Sequence, residues 1–222
     1  MPRRDFDFAV VLQYLPDLLV GVLNTLELTA LSLLLGGVLG LGLALARISG
    51  RRIIAWPAYA YIELFRTTPP LIQIVWIYFV LPVLIHHEID SFEAAALALG
   101  LNCAAFFAEI FRAGIQGIAA SQREAAQVLG LNRLDAMRFV ILPQAMRLVL
   151  APTGAMIILV LKGTSLASWI GMLELTRIGQ LVTNATFRPL ESLTVVAVLY
   201  FAMGYPIALL ARGFERRLQA RR

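Results

Sequence analysis

Residues Leu28 to Ala46 form an uncharged run, "LTALSLLLGGVLGLGLALA", that ends abruptly at Arg47. Spanning a bilayer as a helix takes about 20 predominantly apolar residues. This single stretch therefore directs the chain into a membrane. Thr67 to Ile85 and Ser192 to Ala211 are comparable runs, and two others are interrupted. Ala94 to Ala108 reaches full length only by taking in Glu109, and Leu148 to Met172 carries Lys162 inside it. Composition agrees: 59% of the 222 residues are hydrophobic, mean hydropathy is +0.78 and only 15% are charged. A water-soluble domain is not usually so apolar. The expectation is an all-α membrane protein with five transmembrane helices.

Five spans place the termini on opposite faces, and basic residues decide the orientation. Arg47, Arg51, Arg52 and Arg66, then Arg112, Arg123, Arg133, Arg138 and Arg147, then Arg212, Arg216, Arg217, Arg221 and Arg222 all fall on one side. The other side holds only Arg3, Arg4, Arg177 and Arg188, with most of the acidic residues, Glu174 and Glu191 among them. The first side is expected to be cytoplasmic, with the N-terminus outside and the C-terminus inside. The N-terminus lacks a clean apolar core before a cleavage site, so no removable signal peptide is expected.

Several chemistries find no support. The single Cys103 rules out a disulfide framework, and His86 with His87 reads better as a solvated loop than as metal ligands. The one lysine, Lys162, is preceded by leucine, so no G-K-[ST] phosphate loop exists. Ser165 has no histidine near it in sequence. No catalytic residue, metal or cofactor is expected, and the chain reads as a non-enzyme.

The most polar long run is "EAAQVLGLNRLDAMRFVILP", Glu124 to Pro143. Ser121 with Glu124 fits a capping box, and Gly130 supplies a left-handed helix end. Asn132 with Asp135 restarts a helix, and Pro143 breaks the pattern. The element is a short helical hairpin, and a first helix of under three turns needs packing to persist. It is either an ordinary interfacial loop or a docking knob for a soluble partner. A DNA-reading element is rejected, because the hairpin is tethered between spans.

The pattern E-A-A, three residues, G, nine residues, then V-I-L-P resembles the EAA loop of bacterial ABC-importer permeases. "GVLNTLELTALSLLLG", "ELFRTTPPLIQIVWIYFVLP", "AEIFRAGIQGI" and "LKGTSLASWIGMLELTRIGQ" are similar to the subfamily serving histidine, glutamine, arginine and related importers. The resemblance implies a type I ABC importer permease fold in a bacterial inner membrane. An N-terminal segment at 1–21 would precede a transmembrane domain at 22–214 with its coupling loop at 116–143, and a basic tail would follow at 215–222. It implies a partner ATPase that binds the ATP, a second permease subunit (a copy or a paralogue) and an extracytoplasmic solute-binding protein. Glu124, Ala125, Ala126, Gly130, Leu142 and Pro143 would couple to the ATPase. Ala126 would permit close approach, so a bulky replacement should hurt docking at least as much as losing the Glu124 charge. Opines or other amino-acid derivatives are an alternative cargo. An ATP-independent secondary transporter and a non-transporting ATPase anchor are the rival functions.

Ionisable groups within spans mark function by default. Lys162 followed by Gly163, Thr164 and Ser165 suggests a loosened helix offering polar groups to a solute, against the alternative that Lys162 snorkels to the interface. The family commonly has a polar residue where Gly163 stands, which weakens that inheritance. Glu27 reads as an interface residue, Glu63–Arg66 and Glu109–Arg112 as i,i+3 ion pairs, and Gly36 with Gly40 as a close helix contact. Trp76, Tyr78 and Phe79 read as packing or interface anchors more readily than as a pathway lining.

Overall fold

A computed structural model describes residues 6–219, with the side chains of residues 123, 133 and 214–219 excepted. Arg3, Arg4, Arg221 and Arg222 of the charge argument lie outside the described residues, as does part of the expected basic tail. After a short α1 (Phe8–Leu12), α2 (Leu15–Ile48) is the first long apolar helix. It begins well before the uncharged run, because Pro16 suits a helix start and Asp17 lies in the first turn. Asp17 and Glu27 interrupt the apolar run without interrupting the helix.

The second expected span is divided. The run from Thr67 to Ile85 forms only α4 (Pro70–Phe79) and α5 (Leu81–Ile85), and α3 (Arg52–Thr67), which that run left out, joins them at a bend of 104°. The cause is "TTPP". Thr68 and Pro69 each precede a proline and take extended backbone, with ψ of 141° and 133°. A polar knot satisfies the carbonyls this releases. Gln73 Nε2 donates to the Phe65 carbonyl (3.0 Å) and the Thr68 carbonyl (3.1 Å), and Asn102 Nδ2 donates to Phe65 O and to Gln73 Oε1.

The third long helix, α6 (Ser91–Gln116), opens with a complete capping box between Asp90 and Glu93, three residues before the run expected from Ala94. It packs parallel to α2, and the expected glycine contact is there. A Cβ at Gly36 would lie 2.7 Å from Cys103 Cβ, and one at Gly40 only 2.6 Å from Phe107 Cβ. The core beside this seam is rich in alanine, from Ala94 to Ala108.

The chain then forms α7 (Ala120–Val128) and the brief α8 (Arg133–Asp135), followed by a π-helical turn (Ala136–Ile141) and α9 (Leu142–Gly163). A 3-10 stretch (Thr164–Ile170), α10 (Leu175–Thr186) and α11 (Pro189–Gln219) complete it. Pro143 does not break the helix, contrary to expectation. It occupies the start of α9 and the turn before it widens to π geometry, so Ala136–Ile170 is one continuous apolar rod. The described residues thus contain four helices long and apolar enough to cross a membrane, and five spans if the bent pair counts as one.

Candidate functional site: a polar hairpin and an apolar groove

The hairpin is built by two local devices. Gly130, at φ +74°, closes α7 in a Schellman arrangement. The Leu131 N–H donates to Ala126 O at 3.1 Å and the Gly130 N–H to Gln127 O at 2.9 Å. Asn132 then starts the next helix, its Oδ1 accepting from the Leu134 and Asp135 N–H groups while its Nδ2 donates to Asp135 Oδ2. The capping box expected at Ser121 does not form. The helix begins at Ala120, which places Ser121 inside the first turn, and no side chain caps Ala119. Gln144 Nε2 donates to Gln122 Oε1 at 3.2 Å and ties α7 to the base of α9.

Orientation within the hairpin separates the motif residues. Glu124 and Ala125 face outward, whereas Ala126 is only 2% exposed and packs inside the hairpin. Ala126 therefore serves the hairpin's own packing. The outward surface is apolar: Val128 is 88% exposed, Leu134 81%, and Leu129, Phe139 and Leu142 are also open, with Pro143 beside them. Reading the motif letters alone overlooked Val128, Leu129, Leu134 and Phe139. Their signal was present: large apolar residues in the chain's most polar loop.

The second feature is a groove of about 530 Å³ between α9 and α11, lined by Leu161, Lys162, Ser165, Tyr200, Gly204 and Tyr205, among others. The helix does loosen beyond Lys162, passing into 3-10 geometry at Thr164. Lys162 and Ser165 reach the groove, but Thr164 does not. Its hydroxyl is fully buried and donates to Leu161 O at 2.7 Å, while the Ser165 hydroxyl donates to Lys162 O at 2.7 Å. Trp76 and Phe79 lie on the exposed surface of α4, and Tyr78 packs against the core.

Behind the groove sits an acid expected only as one of the outer-side charges. Glu174 is fully buried, caps α10 by accepting from the Arg177 and Thr176 N–H groups, and accepts from the Tyr200 hydroxyl at 2.8 Å. Burial pushes its carboxyl upward, against the pull of these donors. Tyr200→Phe removes one donor from a buried carboxylate, which costs about 1–3 kcal/mol. The expected result is a lower thermal midpoint for the detergent-solubilised protein, and an unchanged midpoint would show that the bond contributes nothing.

The expected Glu109–Arg112 pair forms at 2.6 Å, but Glu63 and Arg66 do not pair; Arg66 stacks over Phe106 instead. Glu27 is exposed on α2. Among the described residues no group of three or more His, Cys, Asp or Glu side chains is placed to hold a metal.

Comparison with known proteins identifies the family. The family of binding-protein-dependent transport system inner membrane components matches residues 36–220. The chain belongs to this family. The permease is 39% identical over 215 residues to the glutamine transport system permease protein GlnP of Escherichia coli (strain K12), covering 96% of this chain and 98% of the relative. It is 38% identical over 211 residues to the octopine transport system permease protein OccM of Rhizobium radiobacter, covering 91% and 86%. A crystal structure of an amino acid ABC transporter with histidines superposes with a TM-score of 0.90 at 37% identity, over 96% of this chain and all of that one. The permease is thus a multi-pass inner-membrane subunit of an ABC importer. Its task is passage and not catalysis, and such subunits operate with an ATPase and a solute-binding protein.

Proposed function

We propose that the permease forms half of the solute pathway of an ATP-driven importer of polar amino acids and couples to a separate ATPase through the hairpin. In this reading the bent pair counts as a fifth span, with the N-terminus outside and the C-terminus cytoplasmic. The transmembrane domain covers 22–214, preceded by the segment 1–21 and followed by the basic tail 215–222, and the coupling loop covers 116–143. The hairpin's outward apolar residues carry the proposal: an uncovered Val128, Leu129 and Leu134 on a short helix pair turned at Gly130 and Asn132 suits insertion into a groove on a soluble subunit. Glu124 and Ala125 supply its polar rim and Gly130 its angle, with Leu142 and Pro143 at its base. A second permease, either a copy or a paralogue, completes the pathway along the face that bears Lys162 and Ser165, with Thr164 holding that helix end in place.

The similarity to GlnP supports an amino acid as cargo, and the similarity to OccM keeps an amino-acid derivative as the second reading. Uptake into proteoliposomes containing the permease, its ATPase and its binding protein separates these. Labelled polar amino acids should accumulate only with ATP on the ATPase side. Turnover of ATP without amino-acid movement would transfer the assignment to a derivative, and flux without ATP would sink the coupling.

A further inference from the structure

Between α3, α6 and α9, apart from both features above, lies a crevice of about 440 Å³ lined by Arg66, Phe106, Glu109, Ile110, Leu148 and Pro152, among others. Its charges do not balance. Glu109 is already engaged, accepting from both Arg112 Nε and Arg112 Nη2. Arg66 lies within electrostatic reach of Glu109 yet makes no ion pair, its guanidinium resting on the Phe106 ring at 5.7 Å. Arg47 is also within reach of Glu109, stacks over Tyr59 at 4.8 Å, and its Nε is buried with no acceptor. Glu63, on the same helix as Arg66, bonds to neither. Among the described residues, the Arg66 and Arg47 guanidiniums thus have no acidic partner beside a committed carboxylate, and Arg51 and Arg52 stand exposed at the start of α3.

The rest of the lining is apolar. A free polar solute would gain nothing from Phe106, Ile110, Leu148 and Pro152, whereas an amphiphile would match both parts. The geometry points to a binding site for an anionic phospholipid, its headgroup phosphate accepting from Arg66, with the positive charge of Arg47 nearby, and its acyl chain lying along Ile110, Leu148 and Pro152. Basic pockets between transmembrane helices suit such headgroups, and guanidinium–phosphate bonds are among the stronger hydrogen bonds. The site rests on the orientation proposed above only for its leaflet, which would be the inner one.

The test is binding of a fluorescent phosphatidylglycerol analogue to the purified full-length permease in detergent, with the phosphatidylcholine analogue as comparison. No ATP, ATPase or amino acid is present, so failure of the transport reading cannot imitate failure here. Phosphatidylglycerol should bind about tenfold more tightly than phosphatidylcholine, Arg66→Gln should remove that preference, and Arg66→Lys should retain most of it. Arg138→Gln, at an exposed arginine on the hairpin, should leave binding unchanged. Equal affinity for both lipids, an equal loss in Arg138→Gln, or full phosphatidylglycerol affinity in Arg66→Gln would overturn the site. Displacement of the lipid by equimolar inorganic phosphate would overturn the lipid assignment.

Discussion

Recovery of the ATPase with the permease should fall by about two orders of magnitude when Val128 and Leu134 are both replaced by aspartate. Burying a valine or leucine contributes about 1.5–3 kcal/mol each, and each 1.4 kcal/mol is a factor of about ten in affinity. Both side chains are almost fully open in the isolated chain, so the substitutions disturb little inside it. Co-purification through a tag on the permease measures the loss, with a monodisperse gel-filtration profile confirming that the permease itself is intact. Full recovery would mean that the ATPase docks elsewhere. Glu124→Gln should do much less, because an exposed charge at a rim contributes little. Ala126→Trp should also lower recovery, but through a different defect: a buried position with no room disturbs the hairpin fold before docking arises. Protease sensitivity of the hairpin separates the two, rising for Ala126→Trp and staying level for the aspartate pair.

The largest effect on the fold itself is expected at Gly40. A side chain there would meet Phe107 Cβ at 2.6 Å and the Ala104 carbonyl at 2.9 Å. A backbone carbonyl in a packed helix cannot step aside, so α2 and α6 must separate along their shared seam. Gly40→Val should cost about 3 kcal/mol or more and appear as a lower thermal midpoint and reduced yield of monodisperse protein. Gly37→Ala, on the same helix, provides the control. A Cβ there meets nothing within 4 Å, and alanine is the better helix former, so stability should hold or rise slightly. Equal behaviour of the two variants would mean that the seam does not hold these helices together.

The features legible in the sequence were those set by local chemistry. Apolar runs located the four long helices, Gly130 and Asn132 defined the hairpin, and Gly36 with Gly40 marked a close helix contact. What escaped depended on direction and on neighbours distant in the chain. "TTPP" contains its own break, yet an uncharged run counted from Thr67 begins at it and leaves out α3. Ala125 and Ala126 are the same letter, and only the packed hairpin turns one outward and the other inward. Ser121 missed its capping role because the helix began two residues earlier, with Ala119 as its N-cap. Thr164 looked available to a solute, but in 3-10 geometry its hydroxyl turns back to Leu161 O. Glu174 counted as an outer-side charge, while its meaning lies 26 residues away at Tyr200.

The bend at "TTPP" has a mechanical consequence. Flexing a continuous helix means stretching its ladder of i to i−4 bonds, and these resist together. Between Thr67 and Pro70 that ladder is already interrupted, and two side-chain amides, Gln73 and Asn102, clasp the ends. Tilting α3 against α4 therefore loosens a clasp of individual side-chain bonds and leaves both helices whole. The two halves of this span thus meet at a joint held by side-chain bonds and not by a continuous backbone ladder.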